Sequence, residues 1–157
     1  MKKISILMTI VLGLSLSSGI SAEVYKDKKA RVQISIPDDW KVSGDEDNLE
    51  VYSPDETIFL MFHVSTAGNI DASIDEVDQA LDQVLKNRKD GEPSKLKING
   101  MNAIEIEGTG TVDDHPVEWS VSILEAKKPV LVISILGPGW KKWQNKLNAI
   151  AKSIKKY

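Results

Sequence analysis

The chain has 157 residues, with 20 Lys+Arg against 23 Asp+Glu, 41% hydrophobic and 27% charged residues, 10 Gly, 6 Pro and no Cys. This composition excludes a disordered, collagen-like or disulfide-stapled chain. Without cysteine there is no thiolate nucleophile, Cys-ligated zinc, iron–sulfur cluster or lipoprotein anchor.

The N-terminus reads as a secretory signal peptide spanning residues 1–22. Lys2 and Lys3 form a positive start, Ile4 to Leu16 is apolar but for small and hydroxyl residues, and Ser17 to Ala22 is mostly small. The apolar run is shorter than the ~20 residues that span a bilayer, so cleavage is expected after Ala22. Losing Lys2 and Lys3 lowers the net charge from −3 to −5. Residues 23–157 are then one exported domain, periplasmic or secreted, with no transmembrane anchor.

After a charged lead from Lys26 to Arg31, Val32 to Ile36 alternates as a strand and ends at the Pro37-Asp38-Asp39 turn before Trp40. An acidic loop, Gly44 to Asn48, precedes strands over Leu49–Ser53 and Thr57–Ser65. In the second of these, Ile58, Leu60, Phe62 and Val64 share one face and Phe59, Met61 and His63 the other, so both faces are expected to be covered. Ser73 and Glu76 have capping-box spacing, and Ile74, Val77, Ala80, Leu81, Val84 and Leu85 recur at helical spacing, predicting a helix from Ser73 to Asn87. Asp71, Asp75, Asp78 and Asp82 fall opposite that stripe, as a solvated face near a helix N-terminus does.

Asn99-Gly100 between apolar alternations predicts a two-residue hairpin. Further turns at Asp113–Pro116 and Lys127-Lys128-Pro129 separate strands over Val117–Ala126 and Val130–Leu136. A last helix begins near Trp140, with Trp140, Trp143, Leu147, Ile150, Ala151 and Ile154 on one stripe. Successive strands joined by short turns make the sheet mainly antiparallel. The fold class is α+β, an antiparallel sheet covered by two amphipathic helices.

The segment Ile34-Ser35-Ile36-Pro37-Asp38-Asp39-Trp40 resembles the strand, proline, turn and tryptophan start of the PsbP-like superfamily. Ile98 to Ala103, the strands that follow and Ile150 to Ile154 resemble later landmarks of that superfamily in the same order, covering most of Val32 to Ile154. The resemblance implies its α+β fold and a binding, assembly or stabilising role rather than catalysis. Unlike DcrB-type members, the chain has no lipobox cysteine, so a lipid tether is not implied.

The search for chemistry leans the same way. The histidines are His63 and His115, and no G-x-S-x-G elbow accompanies them. His115 falls in a polar turn. His63 has apolar strand partners and fits a hydrogen-bonded position at a sheet–helix boundary better than a ligand or base. The acidic loop offers oxygen ligands without the spacing of a calcium-binding EF-hand, and Gly108-Thr109-Gly110 lies within a strand rather than before a helix as a phosphate loop would. No cofactor or metal is expected, and no catalytic residue is assigned.

The charge is unevenly distributed. Trp140 to Tyr157 carries a net +6, through Lys141, Lys142, Lys146, Lys152, Lys155 and Lys156, while residues 23–139 carry −11. The helix packs on the core through its tryptophans; Trp140, Lys141, Lys142 and Lys146 are the candidates for contact with a partner or an anionic membrane surface. A net-acidic exported protein is unsuited to nucleic acid. The expected function is an exported, non-catalytic binding or accessory factor of the cell envelope with a protein partner. The alternatives are a small periplasmic enzyme using carboxylates or His63 in a sheet–helix pocket, and a soluble lipid- or peptide-binding protein.

Overall fold

The structure is a computed structural model in which residues 21–45 and 47–157 are described. Most of the expected leader, residues 1–20, lies outside them, and Ala22 opens the first strand. No helix among the described residues is long and apolar enough to cross a membrane.

The elements run β1 (Ala22–Asp27), β2 (Val32–Pro37), β3 (Lys41–Gly44), β4 (Asn48–Tyr52), β5 (Ile58–Val64), α1 (Ile74–Val84), β6 (Lys86–Asp90), β7 (Ser94–Ile98), β8 (Met101–Val112), β9 (His115–Leu124) and β10 (Val130–Leu136). A short 3-10 turn (Trp140–Trp143) leads into α2 (Gln144–Ser153) and β11 (Lys155–Lys156). The large sheet has the order β3-β4-β5-β10-β9-β8, with β6 and β7 placed end to end along the outer edge of β8. A second sheet has the order β1-β2-β11. Every pairing is antiparallel, and the fold is the α+β class expected.

The large sheet is buried on both faces, and alternation along β5 and β10 divides the apolar residues between them. On one face Val77, Leu81 and Leu85 pack against Ile104, Ile106, Trp119, Val121, Ile123, Leu131 and Ile133. On the other, Val51, Ile58, Leu60, Phe62, Met101 and Val130 meet Val32, Ile34 and Ile36 of the small sheet and Ile150 and Ile154 of the C-terminal segment. The second face is therefore shared between α2 and a small sheet, not covered by a helix alone. Trp40 is buried after the Pro37 turn, where its backbone N–H donates to the Pro37 carbonyl at 3.0 Å, and its ring meets Trp143 edge to face.

Four local expectations are corrected. The charged lead is strand only at its start: Lys26 and Asp27 end β1, which pairs with β2, and residues 28–31 form the turn between them. The first helix ends at Val84, not Asn87. Asn87 has φ of 51°, and Lys86–Asp90 has no large apolar side chain to extend the helical stripe, so it pairs with the open edge of β8. The capping box does not close, because the Ser73 hydroxyl bonds to Ser65 and the Asn69 carbonyl while Glu76 accepts from Thr66 and the Ala67 N–H. The last helix begins with a 3-10 turn, and Ala151 on its expected apolar stripe is exposed.

Candidate functional site

The two sheets enclose a cleft of about 410 Å³, within the size range of ligand pockets. Ile34, Leu49, Phe62, Val64 and Val130 supply its apolar lining, together with Val32, Val42 and Ile154. Tyr25, Lys26 and Asp27 of β1 and Val42, Ser43 and Gly44 of β3 flank it, with Asp45 and Asp47 from the following loop. Among the described residues both flanking strands are edges: β1 pairs with β2 alone, and β3 with β4 alone. Gly44 permits the tight β3–β4 turn at the rim, since its φ is +98° and a Cβ there would lie 1.9 Å from the Asn48 carbonyl oxygen.

The polar rim is predominantly acidic. Asp27 Oδ1 accepts the Ala30 N–H at 2.6 Å, and Asp45 Oδ1 accepts the N–H groups of Asp47 and Asn48 at 2.9 Å, fixing the β3–β4 turn. Asp47 Oδ2 pairs with Lys29 at 2.5 Å. The remaining oxygens, Asp27 Oδ2 and Asp47 Oδ1, are buried and make no hydrogen bond among the described residues. A buried acceptor without a donor is unfavourable, and an ionised one more so. The Lys26 ammonium lies 5.1 Å from the Tyr157 ring centroid. The Tyr25 hydroxyl donates to Glu23 at 2.9 Å, and burial followed by Glu23 raises its pKa.

His63 faces α1, as the alternation of β5 expects, and does not line this cleft. Its Nδ1 is 2.5 Å from Asn48 Oδ1, and its Nε2 is 3.7 Å from Glu76 Oε2. Burial opposes the charge of Glu76, yet the Thr66 hydroxyl, His63 and the Ala67 N–H together hold its pKa below the ordinary value. Ser65 and Ser73, the buried hydroxyls nearby in sequence, bond to each other at 2.9 Å. This network joins β4, β5 and the start of α1. His115 is exposed and pairs with Val112 across the Asp113-Asp114 turn.

The basic C-terminal segment is engaged within the domain. Lys142 pairs with Asp55 and Lys146 with Asp39, each at 2.5 Å. The Trp143 indole donates to Asp55 at 2.9 Å, and the Trp140 indole to Glu118 at 3.3 Å. Lys142, with the hydroxyls of Thr57 and Ser53, holds the Asp55 carboxyl well below the usual carboxylate range. Lys141 is exposed and makes no such bond among the described residues. The four sequence-derived candidates on this segment thus lie together, but Lys142 and Lys146 face acids of the body. None of the four lines the inter-sheet cleft.

Among the described residues no group of three His, Asp or Glu side chains is arranged to hold a metal ion. In the acidic loop, Asp45 and Asp47 are committed to the turn and to Lys29. The cleft residues escaped sequence reading because their wall, β1, carries mainly polar side chains. Val24 and Tyr25 were its faint strand signal, and the pairing with β2 is a tertiary fact.

No protein-family model matches the chain, and no curated protein matches it. Solved structures do, and the fold is PsbP-like. The solution structure of cyanobacterial PsbP (CyanoP) from Synechocystis sp. PCC 6803 matches with a TM-score of 0.60 and 15% identity, over 93% of this chain and 99% of that one. A Bacteroides thetaiotaomicron protein matches with a TM-score of 0.60 and 12% identity, over 85% of this chain but only 48% of its own length. LpqN of Mycobacterium tuberculosis, described as involved in cell envelope biogenesis, has a TM-score of 0.50 and 11% identity, over 88% of this chain and 86% of that one.

Proposed function

We propose that residues 23–157 are an exported, non-catalytic accessory domain of the cell envelope that binds a protein partner through the inter-sheet cleft. The observation that carries this reading is an open, apolar cleft flanked by two strand edges that are unpaired among the described residues and by a predominantly acidic rim. The histidine considered for catalysis points elsewhere, toward Asn48 and Glu76. The signal-peptide layout of residues 1–22 supports export, and the likeness to a PsbP and to a protein of cell envelope biogenesis is consistent with an accessory role.

Site-specific photocrosslinking in intact cells tests the reading. A photoreactive residue at Ser43, on the cleft rim, should give one reproducible adduct. The same group at Lys128, in an exposed turn, should not. Val64→Trp, which fills the cleft, should abolish the adduct, whereas His63→Ala should leave it. Absence of a Ser43-specific adduct, or its survival in Val64→Trp, overturns the proposal.

A further inference from the structure

The identity of what enters the cleft can be argued further, on the reading that the cleft is the partner site. Two strand edges border one apolar opening. An edge strand offers a row of free backbone donors and acceptors, and a peptide added there as a new strand gains its affinity from main-chain bonds and its selectivity from alternate side chains. Along an added strand every second residue points to the same side. A peptide beside β1 or β3 therefore sends one set of side chains toward Leu49, Phe62 and Val130 and leaves the other set outside.

The charges select among apolar ligands. Asp27, Asp45 and Asp47 border the opening against Lys26, with Lys29 paired to Asp47, so the rim keeps an excess of negative charge; among the described residues, Asp27 Oδ2 and Asp47 Oδ1 are buried without a donor. A fatty acid or an anionic lipid would bring another negative charge against them. A lysine or arginine side chain brings the opposite charge to the carboxylates of the rim. We infer that the cleft receives an extended peptide strand of a partner protein, with apolar side chains alternating toward the floor and a basic residue meeting Asp27 and Asp47 at the rim.

The test uses the purified protein and three fluorescein-labelled, end-blocked octapeptides: alternating valine and lysine, alternating valine and glutamate, and four valines followed by four lysines. Oleate and phosphatidylglycerol vesicles serve as lipid probes. Fluorescence polarisation should show saturable binding of the valine–lysine alternation alone, with amide NMR shifts confined to residues 24–27, 42–44 and the cleft floor. Asp27→Asn with Asp47→Asn should weaken that binding at least tenfold while the thermal midpoint and circular dichroism report a folded domain. If the double variant does not fold, Asp47→Asn alone should still weaken binding measurably.

The inference is overturned if the alternating glutamate peptide or the block peptide binds equally, if the shifts lie elsewhere, if oleate or vesicles bind in preference, or if the folded variants bind undiminished. A Ser43-specific adduct in cells combined with no binding of the valine–lysine peptide overturns the strand inference and leaves the cleft reading standing. Absence of a Ser43-specific adduct in the parent protein overturns both.

Discussion

The side-chain amide of Asn99 donates to the carbonyl oxygen of Ile154 at 2.6 Å, and to that of Ala151 at 3.0 Å. The tip of the β7–β8 hairpin thereby caps the C-terminal end of α2, whose last carbonyls have no partner within the helix. The same residue adopts φ of 49° beside Gly100 at 83°, as a two-residue hairpin turn requires. Asn99→Gly keeps the turn and deletes the cap, and should cost about 1 kcal/mol in urea unfolding. Asn99→Ala loses both and should cost about 2 kcal/mol. Equal stability of the two variants would show that the turn conformation contributes nothing.

Gly108 on β8 lies directly opposite Trp119 on β9. A Cβ at Gly108 would fall 2.5 Å from the Trp119 ring and 2.2 Å from the Lys89 carbonyl oxygen. The indole is buried and donates to the Thr109 carbonyl at 3.1 Å. Gly108→Ala should destabilise the domain by about 1–3 kcal/mol, as overpacking does. Thermal denaturation and a shifted tryptophan emission read the effect; an unchanged midpoint would contradict this packing.

The Arg88 guanidinium bonds to Asp78 at 2.8 Å, Asp82 at 3.0 Å and Asp90 at 2.9 Å. Burial works to lower its pKa, but the hydrogen bonds to Asp90 and Asp78 prevail and raise it. Two of these acids belong to the stripe that the sequence reads as a solvated helix face, and their role is to hold β6 against α1. Arg88→Lys cannot reproduce the forked geometry. It should speed amide exchange in Lys86–Asp90 more than in β9, and lower stability by about 1–2 kcal/mol. Uniform exchange across both strands would argue against a local clamp.

Asp55 gives the domain an acid-sensitive contact. Its folded-state pKa lies below the unfolded carboxylate value of about 3.9, so its contribution is complete above that value and is lost as pH falls toward the folded-state pKa. Asp55→Asn should therefore be less stable than the parent at pH 7, and the difference should shrink between about pH 4 and pH 2. Lys142→Met should shift the parent's acid loss to higher pH. A parent–variant gap that stays constant on acidification would contradict this linkage.

The alternation of β2, β5 and β9 and the continuous apolar run of β10 were legible because burial imposes those patterns on the residues themselves. The Asn99-Gly100 hairpin and the Trp140-to-Ile154 segment were legible for similarly local reasons. β1 and β6 were not, since their side chains are mostly polar and their structure comes from pairing with β2 and β8. The uneven charge was visible, but not its use: Asp39 and Asp55 are distant in sequence from the lysines they meet. The cleft was least legible, because its walls come from β1 to β5, β10 and Ile154 and no motif spans them.

The Ser35 N–H donates to the Ser153 hydroxyl at 2.9 Å, joining residues 118 positions apart. Beside it, β11 completes the small sheet against Gln33 and Val32, and Ile154 lines the cleft. The C-terminal segment thus adds Ile154 to a wall otherwise built by β1 and β2, and pairs the second edge of β2, only once α2 and β11 have docked. A fragment ending before them keeps the β1–β2 hairpin but lacks that contribution, so the complete cleft belongs to the finished domain and not to a chain still being assembled.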